Sequence, residues 1–269
     1  EEEDFEGALY AFDTYNTQEA KARGLETLYA LGRNEEIYQR IEALAKSDPH
    51  NLRVAAFSSF ITERAKVKIT NHFCKNPLDY LHYANLSSHI ADSNKFIGEL
   101  IKELNSVQRT WQPPAQSVRN GFQTSGDLFQ HFKPKIGVLK TFIRNEISTY
   151  FKKFKSKKSI FMDEWPNEIN IIGWAVTQKK HGHHVWHIHQ TGWLSGVIYL
   201  KVVPSLKTDE GAIQFGLSGP RYYDESSPKV THKPMVGDMV LFPSMLHHRT
   251  LPFTSNTDRI IISFDAQRA

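Results

Sequence analysis

Eight of the 13 histidines fall between His181 and His248, and two places in that stretch carry metal-ligand spacing. His187 and His189 are separated by one residue. On an extended strand residues i and i+2 point the same way, so both imidazoles can face one cavity. His247-His248 follows an apolar run, Met239 to Phe242, about 60 residues later. That separation suits a ligand delivered by a distant strand of the same barrel. Three imidazoles can bind Fe(II), Zn(II), Cu(II) or Ni(II), so donor type alone does not choose the metal. A lone His-x-His is more often a surface or core pair than a site. His181, His183 and His184 read as a polar loop ahead of the strand.

The elements that must position these side chains come in two styles, which meet near residue 110. From Glu168 onward the pattern is strand-like: Ile169 to Gln178, Trp193 to Val203, Ala212 to Leu217, Met239 to Pro243 and Arg259 to Asp265. Gly, Pro, Asp and Ser punctuate these runs, and many short strands at close spacing point to a sandwich, barrel or jelly roll. Before residue 110 apolar residues recur at helical spacing. Ala20 to Ala30 runs into Gly32-Arg33, a helix stop, and Asn34 stands as a cap for the next helix. Ile37, Ile41, Leu44 and Ala45 line one face of that helix, Asp48-Pro49-His50-Asn51 breaks it, and Leu52 to Ala65 is helical again. Helix, Gly turn, helix and Asp-Pro break resemble a tetratricopeptide unit; a plain helical extension packed on the next domain is the equal alternative. Pro77 to Leu104 is expected to add helix, strongest from Ser87, and Trp111-Gln112-Pro113-Pro114 ends the pattern. Thr141 to Phe154 is amphipathic and should pack on a sheet. The expected fold is therefore α+β, with residues 1–108 a helical, tetratricopeptide-like region and 109–269 a β-barrel domain.

Composition sets the limits. The 269 residues are 40% hydrophobic and 23% charged, an ordinary globular profile. A net charge of +4 with scattered Lys and Arg gives no expectation of a nucleic-acid partner, and the Lys152 to Lys158 knot reads as a solvated helix end. With one cysteine, Cys74, no disulfide can form within the chain. No apolar run has the length of a membrane span, and Glu1-Glu2-Glu3-Asp4 is no secretory leader, so a cytoplasmic protein with no membrane contact is expected. The oligomeric state is left open.

Four stretches carry a family resemblance. The run from His187 through Gln190-Thr191-Gly192-Trp193 to Leu200 resembles the metal-binding strand pair of the 2-oxoglutarate/iron(II) oxygenase superfamily. Gly237 to Pro252 resembles its second metal strand, and Arg259 to Asp265 its co-substrate strand. Asn120 to Phe129 is similar to the N-terminal catalytic block of those oxygenases that carry tetratricopeptide repeats. The resemblance covers roughly Trp111 to Ala269. It implies a double-stranded β-helix, that is, a jelly-roll or cupin-like barrel. It also implies metal ligands at His187 and His248, with 2-oxoglutarate held by Arg259, and Fe(II) and O2 as the other reactants. A guanidinium can hold a carboxylate through two parallel hydrogen bonds at any working pH. Tyr199 falls where the superfamily often has a hydroxyl near the co-substrate, with core tyrosine as the rival. Gln123, Thr124 and Trp193 are placed toward substrate, against turn polarity for the first two and barrel core for the tryptophans Trp193 and Trp174.

The sequence departs from the pattern at one position. The usual set is two histidines and a carboxylate, and His189 stands where the carboxylate belongs. Either His189 ligates, giving a three-histidine site, or it supports a metal with only two protein ligands; a third alignment makes it the first ligand and leaves His187 outside. An all-neutral shell would leave the metal its full charge, and an open position could take halide or water. The implied function is a 2-oxoglutarate-dependent dioxygenase acting on an unidentified substrate, peptide or protein among the options, with conversion of 2-oxoglutarate to succinate. The alternatives are a three-histidine cupin-type dioxygenase that does not use 2-oxoglutarate, and a catalytically silent protein-binding module.

Overall fold

The computed structural model describes residues 4–65, 73–113, 116–131, 133–204 and 209–269. Four helices open the chain: α1 (Phe5–Tyr15), α2 (Gln18–Ala30), α3 (Asn34–Ser47) and α4 (Leu52–Ala65). Asp4 and Thr17 cap the first two through their side chains. Gly32 adopts a left-handed φ of 71°, which a side chain would resist, and so turns the chain after α2. The cap of α3 is Arg33, so Asn34 is the first helical residue rather than the cap. Leu25, Leu28, Ile37, Ile41, Phe57 and Phe60 form the core of this array, and Tyr222 inserts into it from the barrel side.

The rest is a layered β structure. Strands β1 (His82–Asn85), β2 (Arg109–Trp111), β3 (Val118–Thr124), β4 (Ile169–His184), β5 (Leu194–Lys201), β8 (Asp238–Pro243) and β10 (Arg259–Arg268) make one antiparallel sheet in the order β1-β8-β5-β10-β4-β3-β2. Strands β6 (Ile213–Gly216), β7 (Lys229–His232) and β9 (His247–Thr250) make a smaller one in the order β7-β6-β9. Val197, Tyr199, Val240 and Phe242 of the large sheet pack against Ile213 and Phe215 of the small one, closing a barrel-like core. The other face of the large sheet is covered by α5 (Ser93–Asn105), α6 (Pro134–Phe154) and the short α7 (Ile160–Asp163).

Strand β10 shows how period two divides these layers. Arg259, Ile261, Ser263 and Asp265 line an internal cavity. Ile262, Phe264 and Ala266, one residue out of phase, pack in the core shared with α5 and α6.

Several elements differ from expectation. Pro77 to Leu104 is not continuous helix: Pro77–Tyr80 is a 3-10 turn, β1 follows, and α5 begins only at Ser93. β1 pairs with β8 and so belongs to the large sheet. An expected division at residue 108 would leave β1 and α5 on the helical side, whereas both pack with the sheet. β4 runs six residues beyond Gln178, and His184 ends it rather than lying in a loop. The expected break at Trp111–Pro114 begins one residue early, since Trp111 is the last residue of β2; Pro114 lies outside the described residues.

Candidate metal centre

His187 and His248 are joined by two backbone hydrogen bonds, each amide donating to the other's carbonyl at 3.1 Å. This bridge ties the segment between β4 and β5 to β9. It brings their rings to 4.2 Å, with the His189 ring 5.3 Å from His187 and 5.1 Å from His248. One ring nitrogen from each of the three lies within 4.8 Å of the others, a spacing that can surround one ion.

The tautomers are set by what the other nitrogens do. His187 Nδ1 is 2.7 Å from the Val185 carbonyl, and His248 Nδ1 is 3.0 Å from the Leu246 carbonyl. Carbonyls only accept, so both Nδ1 atoms carry the proton and both Nε2 lone pairs are free. His189 Nδ1 donates to the Asp265 carboxylate at 2.6 Å, which frees its Nε2 in the same way. Ser195 Oγ donates to the same Asp265 oxygen at 2.6 Å and in turn accepts from Ser244 Oγ at 2.7 Å. Burial, followed by the neighbouring His189, pushes the His187 pKa down to about 4. Burial and the His187 ring beside it hold His248 well below the ordinary imidazole range. Both are therefore neutral near pH 7, as metal ligands must be.

The cavity holding these rings has a volume of about 250 Å³. Arg259 is 1% exposed, and its guanidinium lies 5.2 Å from the centroid of the Tyr199 ring. Gln178 Oε1 accepts from Arg259 Nη1 at 2.6 Å, while Gln178 Nε2 reaches His184 Nδ1 at 3.1 Å. Arg259 Nε and Nη2 and Tyr199 Oη are buried without a partner among the described residues. An unsatisfied buried donor costs about 1–3 kcal/mol. Two parallel N–H groups of one guanidinium, with a hydroxyl beside them, match the demand of a carboxylate. Burial lowers the Arg259 pKa from its ordinary value, but a guanidinium remains charged at neutral pH. The donor set therefore fits a divalent metal next to a dicarboxylate.

The structure brings His187, His189, His248, Arg259, Tyr199 and Gln123 to this one cavity. Thr124 lies outside it; its hydroxyl accepts from the Ala175 amide at 3.0 Å and anchors β3 to β4. Trp193 also lies outside. It donates from Nε1 to the Phe161 carbonyl and packs against Phe73 and Phe161 in the helix-facing core. Trp174, read as core, lines the cavity beside His189. His184, read as loop, lines it too and stacks on His187 at 5.6 Å. His247 faces away, as strand alternation requires, with Nε2 2.7 Å from Tyr222 Oη. Asp265, Gln178, Ser195 and Ser244 were not singled out by the sequence. The only local signal for Asp265 and Gln178 is their phase, Asp265 with Arg259 on β10.

Residues 173–265 match the model of the family described as "Putative 2OG-Fe(II) oxygenase". Among solved structures, a prolyl-4-hydroxylase from Pseudomonas putida is similar at 12% identity with a TM-score of 0.50, over 70% of this chain and 92% of that one. A prolyl hydroxylase from Trichoplax adhaerens, solved with a hypoxia inducible factor peptide fragment, aligns over 81% of this chain and 92% of its own at 12% identity and a TM-score of 0.49. HygX from Streptomyces hygroscopicus, solved with nickel and 2-oxoglutarate, aligns over 70% and 83% at 10% identity and a TM-score of 0.44. No curated protein matches the sequence. The first of these likenesses shows a shared fold. Residues 173–265, about a third of the chain, are thus similar to the 2OG-Fe(II) oxygenases.

Proposed function

We propose that this protein is a dioxygenase whose iron is held by the Nε2 atoms of His187, His189 and His248, and whose 2-oxoglutarate is held by Arg259 and Tyr199. The observation that carries the reading is the convergence of three free Nε2 lone pairs and an unsatisfied buried guanidinium in one cavity. Bound Fe(II) and 2-oxoglutarate supply O2 activation, with 2-oxoglutarate converted to succinate and CO2 while the substrate is oxidised.

The chain's own residues do the positioning. Val185, Leu246 and Asp265 hold the three Nδ1 protons and aim Nε2 inward. Arg259 would donate from Nε and Nη2 to the far carboxylate of 2-oxoglutarate, and Gln178 fixes the orientation of the guanidinium through Nη1. Tyr199 Oη donates to the same group. Ile213, Ile261 and Phe242 supply the apolar wall that shields the site from bulk water.

Among the cavity's lining residues, Gln112, Gln116, Gln123 and Trp174 are partly or fully exposed. Uncharged amides beside an aromatic ring suit a neutral polar substrate, and a peptide backbone has that chemistry; hydroxylation is the outcome we assign. We also read α2 and α3 as a tetratricopeptide-like pair. A three-histidine dioxygenase that does not use 2-oxoglutarate would leave the Arg259 donors without purpose. The test is anaerobic addition of 2-oxoglutarate to the Fe(II)-loaded protein. A metal-to-ligand charge-transfer band and aerobic succinate formation are expected; iron binding with neither would refute the reading.

A further inference from the structure

A second cavity, of about 170 Å³, lies on the other side of the Trp186 to Gln190 segment. His187 and Ile188 line both cavities, so this segment is the wall between them. The far side of the second cavity is α2 and α4, which contribute Arg23, Glu26 and Arg53, and the loop before β7 contributes Arg221 and Tyr222. Three arginines therefore face one lining carboxylate. Arg23 is already committed, hydrogen-bonded to Glu19 and, at 2.8 Å, to Glu26. The other two are held more loosely. Arg53 is ion-paired with Glu19 at 3.6 Å and Arg221 with Glu26 at 3.8 Å, but neither donates a hydrogen bond to a described residue, so their N–H groups stay available to an acceptor.

Two further donors lack acceptors. Arg53 Nε and Trp186 Nε1 are buried and unpartnered among the described residues. Trp186 is 8% exposed, and an indole nitrogen can only donate, as can a guanidinium. Buried donors of native proteins almost always have an acceptor. A cavity that collects positive charge and donor-only groups calls for a group rich in acceptor oxygens and negatively charged, and arginine is the side chain suited to such oxyanions.

We propose that this cavity is an oxyanion-binding site, taking a carboxylate or phosphate group, separate from the pocket of Arg259. The occupant accepts from Trp186 Nε1 and Arg53 Nε, and Arg221 closes over it from the rim. This site does not depend on the oxygenase reading, since none of its donors is a metal ligand or a co-substrate contact.

The test is titration of nitrogen-15-labelled protein with inorganic phosphate and, separately, with N-acetylglutamate. The readout is the indole N–H resonance of Trp186, assigned by its loss in Trp186→Phe. We expect that resonance to shift and saturate with at least one of the two anions; which one responds tells phosphate from carboxylate. Arg53→Gln should weaken binding at least tenfold. Arg221→Gln, at a residue exposed enough to leave folding intact, should weaken it several-fold. Arg259→Gln should leave it unchanged. A resonance unmoved by either anion would mean water satisfies these donors and would overturn the proposal. So would binding indifferent to both Arg53→Gln and Arg221→Gln, or binding lost in Arg259→Gln, which would place the anion in the inner pocket.

Discussion

A histidine in the place of a carboxylate changes the charge that a metal sees, and Asp265 bears on how much. The carboxylate stands one residue removed from the metal position, accepting from His189 Nδ1. A hydrogen bond of this kind raises the basicity of the ligating nitrogen and fixes its ring. Asp265→Asn should therefore weaken Fe(II) or Ni(II) affinity about 10–100-fold while the protein stays folded; calorimetric titration of the metal would show it, and unchanged affinity would remove Asp265 from the account. His187→Ala and His248→Ala should each abolish 2-oxoglutarate turnover, read as succinate. Arg259→Gln should raise the KM for 2-oxoglutarate far more than it alters metal affinity if, as proposed, its donors hold the co-substrate. The three histidines proposed as ligands were legible because period-two spacing and a short strand mark them. Their supports were not: Asp265 lies 76 positions from His189 and Gln178 lies 81 from Arg259. The β10–β4 pairing sets Arg259 opposite Gln178, and the β10–β5 pairing together with the His189 amide bond to the Ser244 carbonyl brings Asp265 to His189.

The elements were legible where burial imposes a pattern and illegible where tertiary contacts impose one. The apolar cores of β5, β8 and β10 stand out because both faces are covered. β1 is a four-residue strand with one buried residue, His82, and carries no such signature. The tail of β4 runs through Lys179-Lys180-His181, which reads as loop, yet it pairs with β3 as far as His184. Helix α6 starts at Pro134, earlier than its amphipathic stretch, because the Glu103 carboxylate of α5 accepts from the Lys135 and Ile136 amides and caps it from another element. Packing within the sheet yields its own prediction. A Cβ at Gly196 would collide with the Phe264 ring on the neighbouring strand. Gly196→Ala should cost about 1–3 kcal/mol by overpacking, measured as a lower urea midpoint with unchanged slope. Stability equal to wild type would show that the ring has room to move.

At the scale of the molecule, α4 joins the parts: Val54, Phe57 and Phe60 pack in the core of the first helices, while Leu52, Ala55 and Ala56 pack in the core beneath the large sheet. No described helix is long and apolar enough to cross a membrane. Glu146 of α6 joins layers of the second part: its two oxygens meet His82 Nε2 of β1 at 2.9 Å and His89 Nε2 at 2.8 Å. The hydrogen bond from His82, with that from His89, holds the Glu146 carboxyl below its ordinary value of 4.5. A depressed carboxyl stabilises the fold above its unfolded-state value and loses that contribution as pH falls through the folded one. Wild type should thus lose Tm below pH 4.5, and Glu146→Gln should start lower at neutral pH and lose less on acidification. Parallel curves would exclude this contribution. The whole account rests on one arrangement, three imidazoles and a guanidinium around a metal and its co-substrate. Anaerobic crystals soaked with Fe(II) and 2-oxoglutarate test it most directly, through the anomalous signal of iron. We predict one iron bonded to Nε2 of His187, His189 and His248, with the far carboxylate of 2-oxoglutarate on Arg259. Iron lying elsewhere, or held with the His189 ring turned away, would contradict it.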